Sequence, residues 1–197
     1  MRQQHVIISG YSQRISRENG VVELWRKMHA LADCNTAVDL RTWDSDWQDV
    51  AALMRMIAGD DDCRVFVYAY SWGAGWGFVQ LARELDKLGM RIERAVLADP
   101  VYRSPWLPTW LPANLLSLSR FPTIDVPANV GRVSWTYQRQ DYPRGHRPVA
   151  AKNSDTVIDQ GILLAHPHVG MDNSPAWHRM SMEAALEAHE PHEHAAA

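Results

Sequence analysis

A chain of 197 residues with 46% hydrophobic and 22% charged residues has the length and balance of a globular protein with a sizeable core. A formal net charge of -3 and the lack of a basic cluster give no footing for a nucleic-acid partner. The 2 cysteines, Cys34 and Cys63, argue against a disulfide framework and fit a reducing compartment. The apolar run after Met1-Arg2-Gln3-Gln4 is too short for a signal-peptide core or a membrane span, so a cytoplasmic protein without integral membrane association is expected.

His5 to Ser9 reads as a buried strand ended by Gly10, and the loop Gly10-Tyr11-Ser12-Gln13 follows. Val21, Leu24, Met28 and Leu31 have the spacing of one helix face. Thr36 to Leu40 is a second strand. Ser45 and Gln48 form a capping-box pattern, opening a helix that carries Trp47, Val50, Leu53, Met54 and Ile57 and stops at Gly59. The run Asp60-Asp61-Asp62 reads as a solvated turn, not a metal site. Arg64 to Tyr70 is the third strand. Phe78, Leu81, Leu85 and Leu88 mark the buried face of the helix after it, which ends at Gly89. Gly73, Gly75 and Gly77 each cost that helix about 1 kcal/mol relative to alanine, a cost accepted where backbones pack closely.

Arg94 to Ala98 is the fourth strand, ending at Asp99-Pro100. The stretch 101–127 is rich in proline, leucine and tryptophan and shows no clear strand. Arg132 to Tyr137 is the fifth strand, Gln140 to Pro148 a polar loop, and Thr156 to Ala165 holds the last strand, with Gly161 blurring its limits. Ser174-Pro175 starts a final helix with proline at the first helical position and Trp177, Met180 and Leu186 along it. Residues 1–188 read as one domain and 189–197 as a flexible tail. Strands alternating with helices imply a mostly parallel sheet of five to six strands between two helical layers, a three-layer α/β/α sandwich.

In such a sheet, functional groups collect at the carboxyl ends of the strands. The run Val65-Phe66-Val67-Tyr68-Ala69-Tyr70-Ser71-Trp72-Gly73 ends an apolar strand in a serine at the opening of a glycine-rich helix. That is the nucleophile-elbow pattern G-x-S-x-G, with Ala69 in place of the first glycine. Ala69 and Gly73 are small, as the pattern needs where the chain approaches itself. The helix start beneath Ser71 offers N–H groups and a positive dipole end to an oxyanion. No G-x-G-x-x-G and no G-K-[ST] follows the strand, which argues against a nucleotide-binding turn. Downstream, Asp99 ends the fourth strand and His168 follows the last.

This order, with the elbow Ala69-Tyr70-Ser71-Trp72-Gly73, resembles the α/β-hydrolase superfamily, in particular its small lipase-, esterase- and cutinase-like serine hydrolases. Leu97-Ala98-Asp99-Pro100 is similar to the acid-bearing strand end of pancreatic-type lipases. His168-Val169-Gly170-Met171-Asp172-Asn173 is similar to the histidine loop that leads into the last helix of small lipase-like members. The chain begins at what would be that family's third strand, so a minimal α/β-hydrolase sheet is expected. More typical members carry the acid after the following strand, which would select Asp141. Asp99 ends an apolar strand and is better placed, with Asp141 as the alternative.

The resemblance implies a catalytic set of Ser71 as nucleophile, His168 as proton shuttle and Asp99 as its orienter. The backbone N–H groups of Trp72 and Tyr11 would form the oxyanion hole, with Gly10 letting the loop come close. His146, His166 and His178 compete with His168 from poorer positions. Neither the pair His166 and His168 nor His189, His192 and His194 in the tail has a matched metal-ligand spacing, so no metal and no cofactor are expected. Trp106 and Trp110, in the stretch 101–127, are candidate substrate-binding residues. That stretch would be either an apolar lid over the serine or a segment packed on the sheet. The expected function is cleavage of a carboxylic ester of a small-molecule or lipid-like substrate through an acyl-enzyme. An acyltransferase or thioesterase using the same residues, and an inactive binding or structural module, are the alternatives.

Overall fold

In the computed structural model of the protein, residues 1–11, 13–59, 62–102 and 123–189 are described. Trp106, Trp110, Asp60, Asp61 and the tail from 190 onward therefore lie outside the described residues. Along the chain, β1 (Arg2–Ile8) is followed by α1 (Gly20–Leu31), β2 (Thr36–Arg41), α2 (Trp47–Ala58) and β3 (Cys63–Tyr70). A π-helical turn, Gly73–Gly77, then runs into α3 (Phe78–Lys87), and β4 (Ile92–Ala98) follows. Further on come β5 (Thr123–Val126), β6 (Val130–Tyr137), β7 (Arg147–Ala150), β8 (Val157–Ile158) and β9 (Ile162–Leu163). A 3-10 turn, His168–Asn173, leads into α4 (Pro175–His189).

The main sheet has the order β2-β1-β3-β4-β6-β8, with β9 also paired to β6, and all of these pairings are parallel. Both faces are buried, as the near-continuous apolar runs demand. In β3, Val65, Val67 and Ala69 join the core under α2 and α3, while Phe66, Tyr68 and Tyr70 join the core under α1 and α4. Fully buried Phe78 and Leu81 each stabilise the first core by roughly 1.5–3 kcal/mol. The chain leaves β1 for β2 on one side and returns to β3 on the other. The loops after β1 and β3 therefore part in opposite directions and open a crevice at the strands' carboxyl ends, where ligands of open α/β sheets bind. Gly10 and Ser71 lie at that crevice.

Several expectations change. Asp46, not Ser45, caps α2: its carboxylate accepts the N–H groups of Gln48 and Asp49, both at 3.1 Å. Leu31, Leu53, Ile57, Leu88 and Leu186 are exposed at the margins of their helices' apolar stripes, and in α2 the small Ala51 and Ala58 take buried positions. The expected last strand is two two-residue strands, β8 and β9. A Cβ on Gly161 between them would stand 2.4 Å from the Trp135 ring, so the chain must pass over the indole there as glycine. Finally, β5 falls in a stretch read as strandless and β7 starts inside the expected polar loop. They pair with each other as a separate parallel two-stranded sheet, and at four residues each, with Pro148 inside β7, they carry little sequence pattern.

Candidate active site

Ser71 directly follows β3 with φ 54°, in the left-handed region that costs a non-glycine residue roughly 1–2 kcal/mol. Neighbouring backbone holds it there. Its N–H donates to the Ala98 carbonyl at 2.9 Å, and its own carbonyl accepts from Ala74, Gly75 and Val101 at 3.1, 2.9 and 2.9 Å. Gly73 meets the end of β1. A Cβ on it would stand 2.4 Å from the Ser9 carbonyl oxygen and 2.8 Å from that of Ile8, so its nearest close approach is to that strand end.

The loop after β1 rests on the serine turn. A Cβ on Gly10 would lie 3.0 Å from the Ser71 Cβ and 2.8 Å from the Tyr70 ring. The Gly10 N–H donates to Gln13 Oε1 at 3.0 Å, and Gln13 Nε2 donates to Asp172 Oδ2 at 2.7 Å. The same Asp172 oxygen accepts the Gly20 N–H at the start of α1, and burial pushes its carboxyl above the ordinary value. The Tyr11 and Trp72 rings pack with centroids 4.4 Å apart, and Trp43 meets Trp72 edge-on at 4.8 Å. Trp43 also lines an open groove of about 470 Å³ between the loops after β1 and β2, with Gln13, Arg14, Ile15 and Thr42.

His168 opens the 3-10 turn. Its Nε2 is 2.8 Å from Ser71 Oγ and its Nδ1 is 2.6 Å from Asp99 Oδ2. Relative exposures of 4%, 7% and 0% for Ser71, His168 and Asp99 place all three out of bulk water, where such bonds are strong. Asp99 also has a left-handed φ of 40°, and its N–H donates to Thr136. Its Oδ1 accepts the N–H groups of Gly145 and Gln138 at 3.0 and 3.3 Å, and Oδ2 accepts Gln138 Nε2 at 3.1 Å. Asp141 holds the backbone of the histidine, not its ring: its Oδ1 accepts the His168 N–H at 2.8 Å. On the other side, Tyr70 Oη donates to the His168 carbonyl at 2.7 Å and the two rings stack. Burial, aided by the carboxylates of Asp172, Asp99 and Asp141, pushes the Tyr70 phenol far up, so it remains a donor.

The other histidines serve elsewhere. His146 is buried beside Asp99, takes the Tyr102 N–H on Nδ1 at 3.4 Å, and is held down to about 4 by burial. His178 packs α4 on α1: its Nε2 donates to the Asp172 carbonyl at 2.8 Å, and the Lys27 ammonium lies 3.3 Å from its Nδ1. His166 lies in the bend before Pro167. Two residues at the site, Tyr70 and Gln138, escaped sequence reasoning. Tyr70 stands at a variable position of the elbow pattern, and Gln138 opens a polar run. The available signal for Gln138 was its place directly after an apolar strand, where functional groups collect. Among the described residues, no group of three or more His, Cys, Asp or Glu could hold a metal ion, and no helix is long and apolar enough to cross a membrane.

A hydroxyl, an imidazole and a carboxylate hydrogen-bonded in series can move a proton off the hydroxyl and stabilise the imidazolium that results. No protein-family model matches the chain, and no curated protein sequence does. Among solved structures, it is similar in fold to the RedJ thioesterase of the prodiginine biosynthetic pathway in Streptomyces coelicolor. The identity is 12% and the TM-score 0.51, over 94% of this chain and 85% of that one. A second RedJ structure, with a PEG molecule bound in the active site, matches with the same identity and TM-score over 94% of this chain and 93% of that one. The likeness is one of architecture, a mostly parallel sheet between helical layers as in α/β-hydrolase-like folds.

Proposed function

We propose that the protein is a serine hydrolase that cleaves a carboxylic ester or thioester through an acyl-enzyme. The observation that carries this reading is the buried series Ser71 Oγ, His168 and Asp99, with links of 2.8 and 2.6 Å and the serine at a strained strand-to-helix turn. His168 Nε2 takes the Ser71 proton as Oγ attacks the acyl carbon. Asp99 orients the ring and stabilises the imidazolium. The tetrahedral intermediate collapses, the C–O or C–S bond breaks, and His168 returns the proton to the leaving alcohol or thiol. Water then repeats the sequence on the acyl-enzyme, releasing the acid and restoring Ser71.

The reading assigns the oxyanion to the backbone N–H groups of Trp72 and Tyr11. Support comes from the Tyr11–Trp72 ring contact and from Gly10, which together bring the loop after β1 against the serine turn. One such donor is worth on the order of 10²–10³ in turnover. The groove beside Trp43 borders the serine turn through the Trp43–Trp72 contact and is the candidate place for one part of the substrate. The test is labelling by a fluorophosphonate probe, followed by acyl-chain series of p-nitrophenyl esters and of thioesters. Labelling of the protein that is lost in Ser71→Ala and in His168→Ala is expected. A folded protein that takes no label and turns over neither series would overturn the reading, and the ratio of the two series assigns ester or thioester.

A further inference from the structure

We propose that Gln138 is a positioning residue of this site, whose single carboxamide fixes both the Asp99 carboxylate and the loop that grips His168. The proposal rests on the reading of Ser71, His168 and Asp99 as the reacting set. Gln138 is 1% exposed and directly follows β6. Its Oε1 accepts the N–H groups of Gln140 and Asp141 at 2.7 and 3.0 Å. Two N–H donors can meet only the oxygen end of an amide, so the orientation of the carboxamide is settled by its partners. Its Nε2 therefore faces Asp99 Oδ2 at 3.1 Å and the carbonyls of Pro143 and Asp141 at 3.0 and 3.2 Å.

One residue thus touches both oxygens of the acid, Oδ2 through its side chain and Oδ1 through its backbone N–H. Rotation of the carboxylate would break one of these bonds, so Oδ2 stays aimed at His168 Nδ1. The second arm runs through Asp141. Its N–H and C=O are both bonded to the Gln138 carboxamide, and its carboxylate takes the His168 N–H. Gly145 closes the loop on the far side, where a Cβ would lie 2.2 Å from Asp99 Oδ1. The acid and the backbone of the base are therefore set by the same side chain.

A residue that only filled space here would need no donor facing Oδ2. Gln138→Glu separates the two roles. It keeps the size and the oxygen that accepts from Gln140 and Asp141, and replaces the donor with a second oxygen against Asp99. Ionised, the new carboxylate repels Asp99, and its charge beside His168 favours the imidazolium, which moves the acid limb of the kcat/KM profile to higher pH by about one unit, since turnover requires the neutral ring in the free enzyme. Protonated, it adds no charge and its O–H takes over the donor on Asp99 Oδ2. Gln138→Met removes donor and acceptor alike, and kcat falls on the order of 10²-fold with KM little changed.

The experiment uses the full chain. Hydrolysis of p-nitrophenyl acetate is followed across pH for the unaltered protein and both variants. The far-downfield proton signal of the His168–Asp99 bond is followed by NMR, with His168→Ala identifying it and circular dichroism confirming the fold. A displaced or broadened signal and a lowered kcat in Gln138→Met, with a shifted acid limb in Gln138→Glu where its carboxyl is ionised, are the expected results. A folded Gln138→Met with unchanged signal and kcat overturns the proposal. Should the unaltered protein take no fluorophosphonate while the signal still moves in Gln138→Met, the positioning role stands and the hydrolase reading fails.

Discussion

Gly73→Ala is the smallest change that tests how Ser71 is placed. The new methyl carbon would stand 2.4 Å from the Ser9 oxygen, 2.8 Å from the Ile8 oxygen and 2.9 Å from Ile8 Cγ2. Two of these are backbone atoms at the end of a central strand, which cannot swing aside as a side chain can. Relief needs roughly 1 Å of separation between the end of β1 and the turn after Ser71. Overpacking of this kind costs about 1–3 kcal/mol. Alanine's better helix propensity returns roughly 0.5–1 kcal/mol. The net loss, from near zero to about 2.5 kcal/mol, corresponds to a fall of up to roughly 10 °C in Tm for a protein of this size. The kinetic loss should be larger, because a 1 Å misplacement of reacting groups costs on the order of 10²-fold. The assay is p-nitrophenyl ester hydrolysis beside thermal unfolding. Gly89→Ala serves as the comparison, since its Cβ would meet nothing within 4 Å and only its φ of 67° is strained. It should lose stability without losing kcat. A Gly73→Ala protein with unaltered kcat would refute the claim that the contact between β1 and the elbow sets the serine.

The two candidate acids separate by substitution. Asp99→Asn should lower kcat on the order of 10⁴-fold by holding the wrong imidazole tautomer. Asp141→Asn keeps an oxygen for the His168 N–H and should stay within about 10-fold of the parent; the reverse ranking in ester hydrolysis would make Asp141 the acid. Tyr70→Phe leaves the buried His168 carbonyl without its donor, so a stability loss of about 1–3 kcal/mol by chemical denaturation is expected, with kcat reduced more than KM is raised. His146 gives a pH signature. Burial lowers it from 6.5 to about 4, so between those values the unfolded chain binds more protons and stability falls as pH falls. His178, also lowered, acts in the same direction, whereas Asp172, raised by burial, opposes it at the acid end. His146→Gln should therefore show a shallower decline in Tm between about pH 6.5 and about pH 5 than the unaltered protein, and superimposable slopes would show that His146 does not titrate as a buried neutral group.

The parallel sheet and its two cores were legible because five apolar runs of strand length alternate with amphipathic stretches, and burial on both faces leaves little else for such runs to do. The convergence of Ser71, Asp99 and His168 at one end of the sheet was legible because each stands just beyond an apolar strand or before a helix start. What stayed hidden depends on contacts made across the chain. Nothing local marks Gln138, since its partners lie at positions 99, 140, 141 and 143 and in a loop read only as polar. The small β5–β7 sheet depends on pairing between segments more than twenty residues apart, and neither has an alternating pattern long enough to show it. Gly73 was read as a close approach of the chain to itself, but the end of β1 as its nearest partner was not legible, because Ile8 and Ser9 lie about 65 residues away in sequence and are adjacent only in the sheet.

Backbone strain also sharpens the reading of the site. Among the described residues, three other than glycine have positive φ: Ser71, Asp99 and Asn153. Asn153 lies in an exposed turn, a setting asparagine tolerates at little cost, so positive φ alone does not mark chemistry. Ser71 and Asp99 differ in being buried, in ending the neighbouring strands β3 and β4, and in being tied together by the sheet. The Ser71 N–H bonds to Ala98, the residue before Asp99, and the Ser71 carbonyl takes the N–H of Val101, two residues after it. Strain at one is thus braced by the backbone around the other, and the strand ends behave as one rigid corner. Onto that corner the 3-10 turn sets His168, held by Tyr70 from the serine side and Asp141 from the acid side. The two strained residues therefore act as fixed ends and the histidine as the one member placed from a loop. Mutations that loosen the loop should lower turnover while sparing the fold, whereas mutations at the corner should damage both.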